Sequence, residues 1–137
     1  MGEIKDGIGK LAEKYKLQIV YAFGSRAKEA LNMVEGKINC LSDRKSDLDI
    51  GIKPEIPLNI EEKIEIALEF EDIFNISRVD LVTIPEASVF LALEIVKGEL
   101  LYAKDDVYEA EYQLYIMQRA SELIPYERMK QKMILGF

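Results

Sequence analysis

The chain has no histidine, no tryptophan and one cysteine, Cys40. Without histidine there is no Ser–His or Cys–His nucleophile pair and no zinc site of the kinds that need imidazole. One cysteine cannot close an intramolecular disulfide or build a thiolate cage, so Cys40 reads as a reduced thiol in a cytoplasmic protein. No apolar run approaches the length of a membrane span, and the N-terminus has no signal-peptide core, so neither a membrane nor export is expected. The triplet Asn75-Ile76-Ser77 matches a glycosylation acceptor but carries no weight without export. Positive charge is in the minority: 18 Lys and Arg against 25 Asp and Glu give a formal net charge of −7. That balance argues against broad DNA or RNA binding, whose affinity comes from neutralised phosphates, but it still allows one nucleotide held by local donors.

What is present is an ordinary globular composition, 49% hydrophobic and 31% charged over 137 residues, enough for one domain spanning 1–137 with a real core. Ile4, Ile8, Leu11, Ala12 and Tyr15 recur at helical spacing, so the first sixteen or so residues read as an amphipathic helix. Gln18 to Phe23 is a short strand stopping at Gly24, and Ser25 to Leu31 is helical. Asn32 to Lys45 has no clear period and reads as a loop. Leu48, Ile50 and Ile52 share one strand face, with Asp47, Asp49 and Gly51 on the other, until Pro54 and Pro57 end the strand. Asn59 and Glu62 form a capping-box pattern for a helix whose face is Ile60, Ile64, Ala67, Leu68 and Phe74. Arg78 to Ile84 is a third strand, Pro85 opens a helix that ends at Lys97-Gly98, and Glu99 to Ala103 is an edge strand. Asp105 or Asp106 caps a last helical segment, about 105–137, with a break or kink expected near Pro125. Strands alternating with helices indicate an α+β (α/β) fold, a small mixed sheet packed with helices.

Three acids carry the chemistry. Asp47 and Asp49 project side by side from one strand face, and Asp80 sits in the next strand-like run. Two carboxylates a few ångströms apart repel by about 1 kcal/mol in water and by more where the dielectric falls. A compensating cation is therefore expected, and an all-carboxylate set suits Mg²⁺. Gly24 would let backbone approach a phosphate, Ser25 stands at a helix start with free N–H groups, and Arg26 adds charge. Plainer readings exist for each: Ser25 as a helix cap, Asp47 and Asp49 as a solvated strand face, Asp80 as a structural partner of Arg78 or Arg44.

Together, Tyr21-Ala22-Phe23-Gly24-Ser25-Arg26, Ser46-Asp47-Leu48-Asp49-Ile50 and Val79-Asp80-Leu81-Val82 resemble the minimal nucleotidyltransferases of the polymerase-beta-like nucleotidyltransferase superfamily. The resemblance runs from about residue 18 to Leu101-Tyr102. It implies the nucleotidyltransferase fold and a site in which Asp47, Asp49 and Asp80 hold two Mg²⁺ ions while Gly24, Ser25 and Arg26 receive the nucleotide triphosphate. Asp80 would also activate the acceptor hydroxyl. One departure stands out: twenty-one residues separate Ser25 from Asp47, a longer gap than the family usually has. The added length falls in the presumed loop, where insertions cost little, and Lys28, Arg44 and Lys45 read as solvated loop charges.

The last helix is apolar over much of its circumference, with Tyr108, Tyr112 and Tyr115 as a core-facing stripe and Leu114, Met117 and Ile124 on another arc. Such a helix cannot satisfy itself on one small sheet, so it is expected to form part of a homo- or hetero-oligomer interface. The resemblance implies a partner as well: minimal nucleotidyltransferases are often antitoxins that transfer AMP from ATP to a tyrosine of a HEPN toxin. Two other readings remain open, a non-catalytic module that blocks its partner sterically and nucleotidyl transfer to a small molecule.

Overall fold

The computed structural model describes residues 2–42 and 47–135. Arg44, Lys45 and Ser46 lie outside the described residues. The elements run α1 (Glu3–Tyr15), β1 (Leu17–Phe23), α2 (Ala27–Val34), β2 (Leu48–Pro54), α3 (Ile60–Phe74), β3 (Val79–Thr83), a 3-10 turn (Ile84–Glu86), α4 (Val89–Val96), β4 (Glu99–Ala103) and α5 (Asp106–Leu135).

The four strands form one mixed sheet in the order β3-β2-β1-β4. β1 pairs antiparallel with both β2 and β4, and β2 pairs parallel with β3 through the α3 crossover. Alternation along the strands sends Leu17, Val20, Leu48, Ile50 and Ile52 into a core shared with α1, α2 and α3. Ile19, Tyr21 and Phe23 face the opposite way, into a second core closed by α4 and α5. Gly51 lies on that second face because a Cβ there would run into Ile95 of α4. The α+β expectation, the order of the elements and the edge position of β4 all hold.

Four local readings change. α2 continues to Val34, so the loop begins later than expected. Pro85 sits in the 3-10 turn, and Ser88 caps α4 by accepting from the Leu91 N–H at 3.2 Å. The capping box of α3 is present, with Asn59 and Glu62 bonded reciprocally at 2.8 and 3.1 Å, but its buried face is Ile66, Phe70 and Phe74. Ile60, Ile64 and Leu68, read as core-facing, are exposed. The fourth change concerns Pro125: α5 carries it inside one continuous helix of 30 residues.

α5 is anchored only along its first half. Asp105 caps it by accepting from the Val107 N–H at 2.9 Å. Ile116 enters the second core, Ala120 is buried, Gln113 donates to the Val96 carbonyl at 2.7 Å, and the buried Tyr21 phenol donates to Glu109. Burial, reinforced by that bond, holds the Tyr21 phenol protonated far above its usual range. The tyrosines contribute less to the core than their spacing predicts: Tyr108 and Tyr112 stack at its margin and Tyr115 is half exposed. Among the described residues, no helix is long and apolar enough to cross a membrane.

Candidate active site

The site lies where β1 ends and β2 and β3 begin. Phe23 is paired with Asp49, and Asp49 with Asp80, so the turn after β1 and the two acids sit in adjacent rows of one sheet end. Asp49 and Asp80 share the sheet face that carries Phe23, Gly51 and Val82, the face covered further along by α4.

Gly24 makes this arrangement possible. It adopts φ +76°, a left-handed conformation that side chains disfavour. A Cβ at this position would stand 2.5 Å from Asp49 Oδ2, so only a glycine lets the turn close over the carboxylate. The Ala27 N–H donates to the Gly24 carbonyl at 3.3 Å, and Ser25 is exposed at the crest. α2 starts from Arg26 with no side-chain cap bond, so the cap reading of Ser25 does not apply.

Asp49 is half-buried, and its carboxyl is pushed above the ordinary carboxylate range. Burial is the largest cause, followed by the negative charges of Asp80 and then Asp47. The three predicted acids therefore share one electrostatic neighbourhood. Asp47 Oδ1 lies 3.6 Å from Arg78 Nε, so Arg78 pairs with Asp47 and not with Asp80. Arg44, the other partner considered for Asp80, falls outside the described residues. Among the described residues no group of three or more Asp, Glu, His or Cys side chains is gathered closely enough to hold a metal ion. The donor chemistry still fits a hard cation: the acids are oxygen donors, and their mutual repulsion raises the protonation of Asp49.

Arg26 sits differently from the other loop residues. It is buried, donates from Nη2 to the Ser42 carbonyl at 2.6 Å, and lies 3.7 Å through Nε from Glu29 Oε2. Glu29 in turn accepts from the Ser42 N–H at 2.9 Å. Arg26 and Glu29 thus tie the long connection back to α2. Sequence reasoning missed Glu29 and Ser42; the three-residue Arg26–Glu29 spacing was the available signal for the first, and nothing local marked the second. Lys28 is on α2, exposed, 3.9 Å from Glu99.

The family model for polymerase beta nucleotidyltransferases matches residues 6–107. This chain belongs to the polymerase beta nucleotidyltransferase family. No curated protein matches the sequence at a significant level. Among solved structures, the fold of this nucleotidyltransferase domain is similar to a chain of a toxin–antitoxin crystal structure with AMP-PNP, at TM-score 0.69 and 23% identity, covering 96% of this chain and 95% of that one. It is also similar to a chain in the complex of tri-AMPylated Shewanella oneidensis HEPN toxin with MNT antitoxin, at TM-score 0.65 and 22% identity, covering 97% and 93%. A third match is the toxin–antitoxin MntA–HepT structure, at TM-score 0.65 and 21% identity, covering 97% and 94%.

Proposed function

We propose that this nucleotidyltransferase is an Mg²⁺-dependent antitoxin that transfers AMP from ATP to a tyrosine of a cognate HEPN toxin in the cytoplasm. The observation that carries the reading is the closure of Gly24 over Asp49 beside Asp80, a glycine turn set against an acidic cluster. Family membership and the likeness of fold to toxin–antitoxin complexes support it.

In this reading Asp47, Asp49 and Asp80 hold the divalent ions, which supply charge neutralisation for the transferring phosphorus and its leaving group. The N–H groups after Gly24 and the Ser25 hydroxyl seat the triphosphate. Arg26 serves nucleotide binding by bracing the turn from beneath through Ser42 and Glu29. The toxin tyrosine oxygen bonds to the α-phosphorus, the bond to the bridging oxygen of the β-phosphate breaks, and pyrophosphate leaves. Asp80, the most exposed acid, accepts the phenol proton.

The test is incubation with ATP, Mg²⁺ and candidate HEPN proteins, read by intact-mass and peptide mass spectrometry. An adenylyl group on a toxin tyrosine is expected, and it should disappear when Asp47 and Asp49 are both changed to Asn. Transfer that survives that double change would remove the carboxylate roles. The exposed second half of α5 favours one alternative, steric neutralisation. On that reading the double variant would still silence the toxin, while a charge at Leu123 or Ile124 would not.

A further inference from the structure

A second pocket, of 360 Å³, opens on the same sheet face between β2, the 3-10 turn, α4 and α5. It lies well away from the acids: Lys53 in its wall is four residues along β2 from Asp49, roughly 13 Å at strand rise, with Gly51 and the overlying Ile95 between. Four of its ten lining residues come from α5, beyond the residues 6–107 that the family model matches.

Its chemistry is distinctive for so acidic a protein. Ile84 and Ile116 contribute apolar floor, Tyr112 and Tyr115 present ring faces, and the formal charges in the lining are Lys53 and Arg119. Lys53 Nζ sits 5.8 Å from the Tyr112 ring centroid, and the Arg119 guanidinium 5.8 Å from that of Tyr115. Six of the described cations, Lys14, Arg26, Lys28, Lys37, Lys63 and Arg78, stand within 4 Å of a carboxylate, and Lys53 and Arg119 are among those that do not. Lys53 instead donates to the neutral Gln18 Oε1 at 3.0 Å and the Pro54 carbonyl at 2.9 Å. Arg119 has only a 3.5 Å contact from Nη1 to the Tyr115 hydroxyl. Tyr112, its phenol pushed up to about 12 by burial and then by Tyr108 and Tyr115, stays neutral and cancels neither charge. Two cations with no acidic partner among the described residues, over an apolar floor, form an anion subsite joined to a hydrophobic one, within the size range of small-molecule pockets.

We propose that this pocket binds a small organic anion, its flat apolar body seated on Ile84 and Ile116 against the edge of the tyrosine pair and its carboxylate or phosphate held by Lys53 and Arg119. The proposal is independent of the transfer reaction. It is tested by ¹H–¹⁵N NMR titration of the full chain, without Mg²⁺, using four probes: phenyl phosphate, phenylacetate, benzyl alcohol and inorganic phosphate. Saturable shifts at Tyr112, Tyr115 and Arg119 are expected with the two phenyl anions. Benzyl alcohol and inorganic phosphate should bind at least tenfold more weakly, because each lacks one half of the match. Arg119→Glu, at an exposed position, should weaken phenyl phosphate by roughly tenfold or more while leaving the spectrum elsewhere intact. Equal binding of benzyl alcohol would reduce the pocket to an apolar patch, and equal binding of inorganic phosphate to a charge patch; either overturns the proposal. Shifts centred on Gly24 and Ser25, or no saturable binding, overturn it too. Shifts at Gly24 and Ser25 would report on the proposed phosphate seat, and the other outcomes leave adenylyl transfer untouched.

Discussion

At the scale of single residues, the acidic cluster is a local liability that a cation would relieve. Asp49 ionises against its surroundings, since burial and two neighbouring carboxylates favour its protonated form in the folded chain. The sign follows directly. Below the ordinary carboxylate value of 3.8 both folded and unfolded chains carry the proton and nothing is lost. As pH rises the unfolded chain ionises first, so stability falls until the folded-state pKa is passed, and the full penalty persists at neutral pH. Asp49→Asn should therefore be more stable than the natural chain at pH 7 in EDTA, by on the order of 1 kcal/mol, the scale of two close charges in water. The gap should close below pH 3.8, and Mg²⁺ should raise the Tm of the natural chain more than that of the variant. Thermal unfolding across pH, with and without metal, measures all three. A difference that is flat with pH and blind to Mg²⁺ would show that Asp49 is not the strained group.

At the scale of elements, α3 shows what a sequence reveals and what it leaves open. Its cap was legible because Asn59 and Glu62 interact only with each other's backbone, a contact that needs no tertiary knowledge. Its buried face was not legible, because apolar residues occupy two abutting arcs, Ile60-Ile64-Leu68 and Ile66-Phe70-Phe74, and only the sheet decides between them. The same division holds at the site. The i, i+2 spacing of Asp47 and Asp49 and the glycine after β1 could be read from the chain alone. The pairing of Asp49 with Asp80 follows from the parallel register, and the Arg26–Ser42 bond closes a sixteen-residue separation with no local signal. The assignment of faces has an energetic consequence. Ile66→Ala removes a fully buried side chain and should cost about 2–5 kcal/mol, whereas Ile64→Ala, on the exposed arc, should stay within about 0.5 kcal/mol. Urea unfolding of the two variants compares them; equal losses would restore the outer arc to the core.

At the scale of the whole molecule, α5 divides the chain into a packed domain and a projection. Its 30 residues reach roughly 45 Å at 1.5 Å per residue, yet the last side chain in the core is Ala120. Beyond it Leu123 and Ile124 are part-covered at 37% and 38% exposure, while Tyr126, Met129, Met133 and Ile134 are 62–80% exposed. The fifteen residues past Ala120 are by themselves about the length at which a lone helix is marginal in water, and Pro125 weakens them further by removing a hydrogen bond at a cost of about 3 kcal/mol. What the projection gains from a second protein it cannot gain from the domain, so the two should be separable. Ending the chain after Leu123 should change domain stability by no more than about 0.5 kcal/mol, because no core contact is lost. The same truncation should abolish stable capture of the proposed HEPN partner, and in the full chain hydrogen exchange from 124 onward should slow only when that protein is bound. If truncation instead lowers stability by several kcal/mol, the projection belongs to the core in solution. The partner must then be held through the face that carries Asp49 and Asp80.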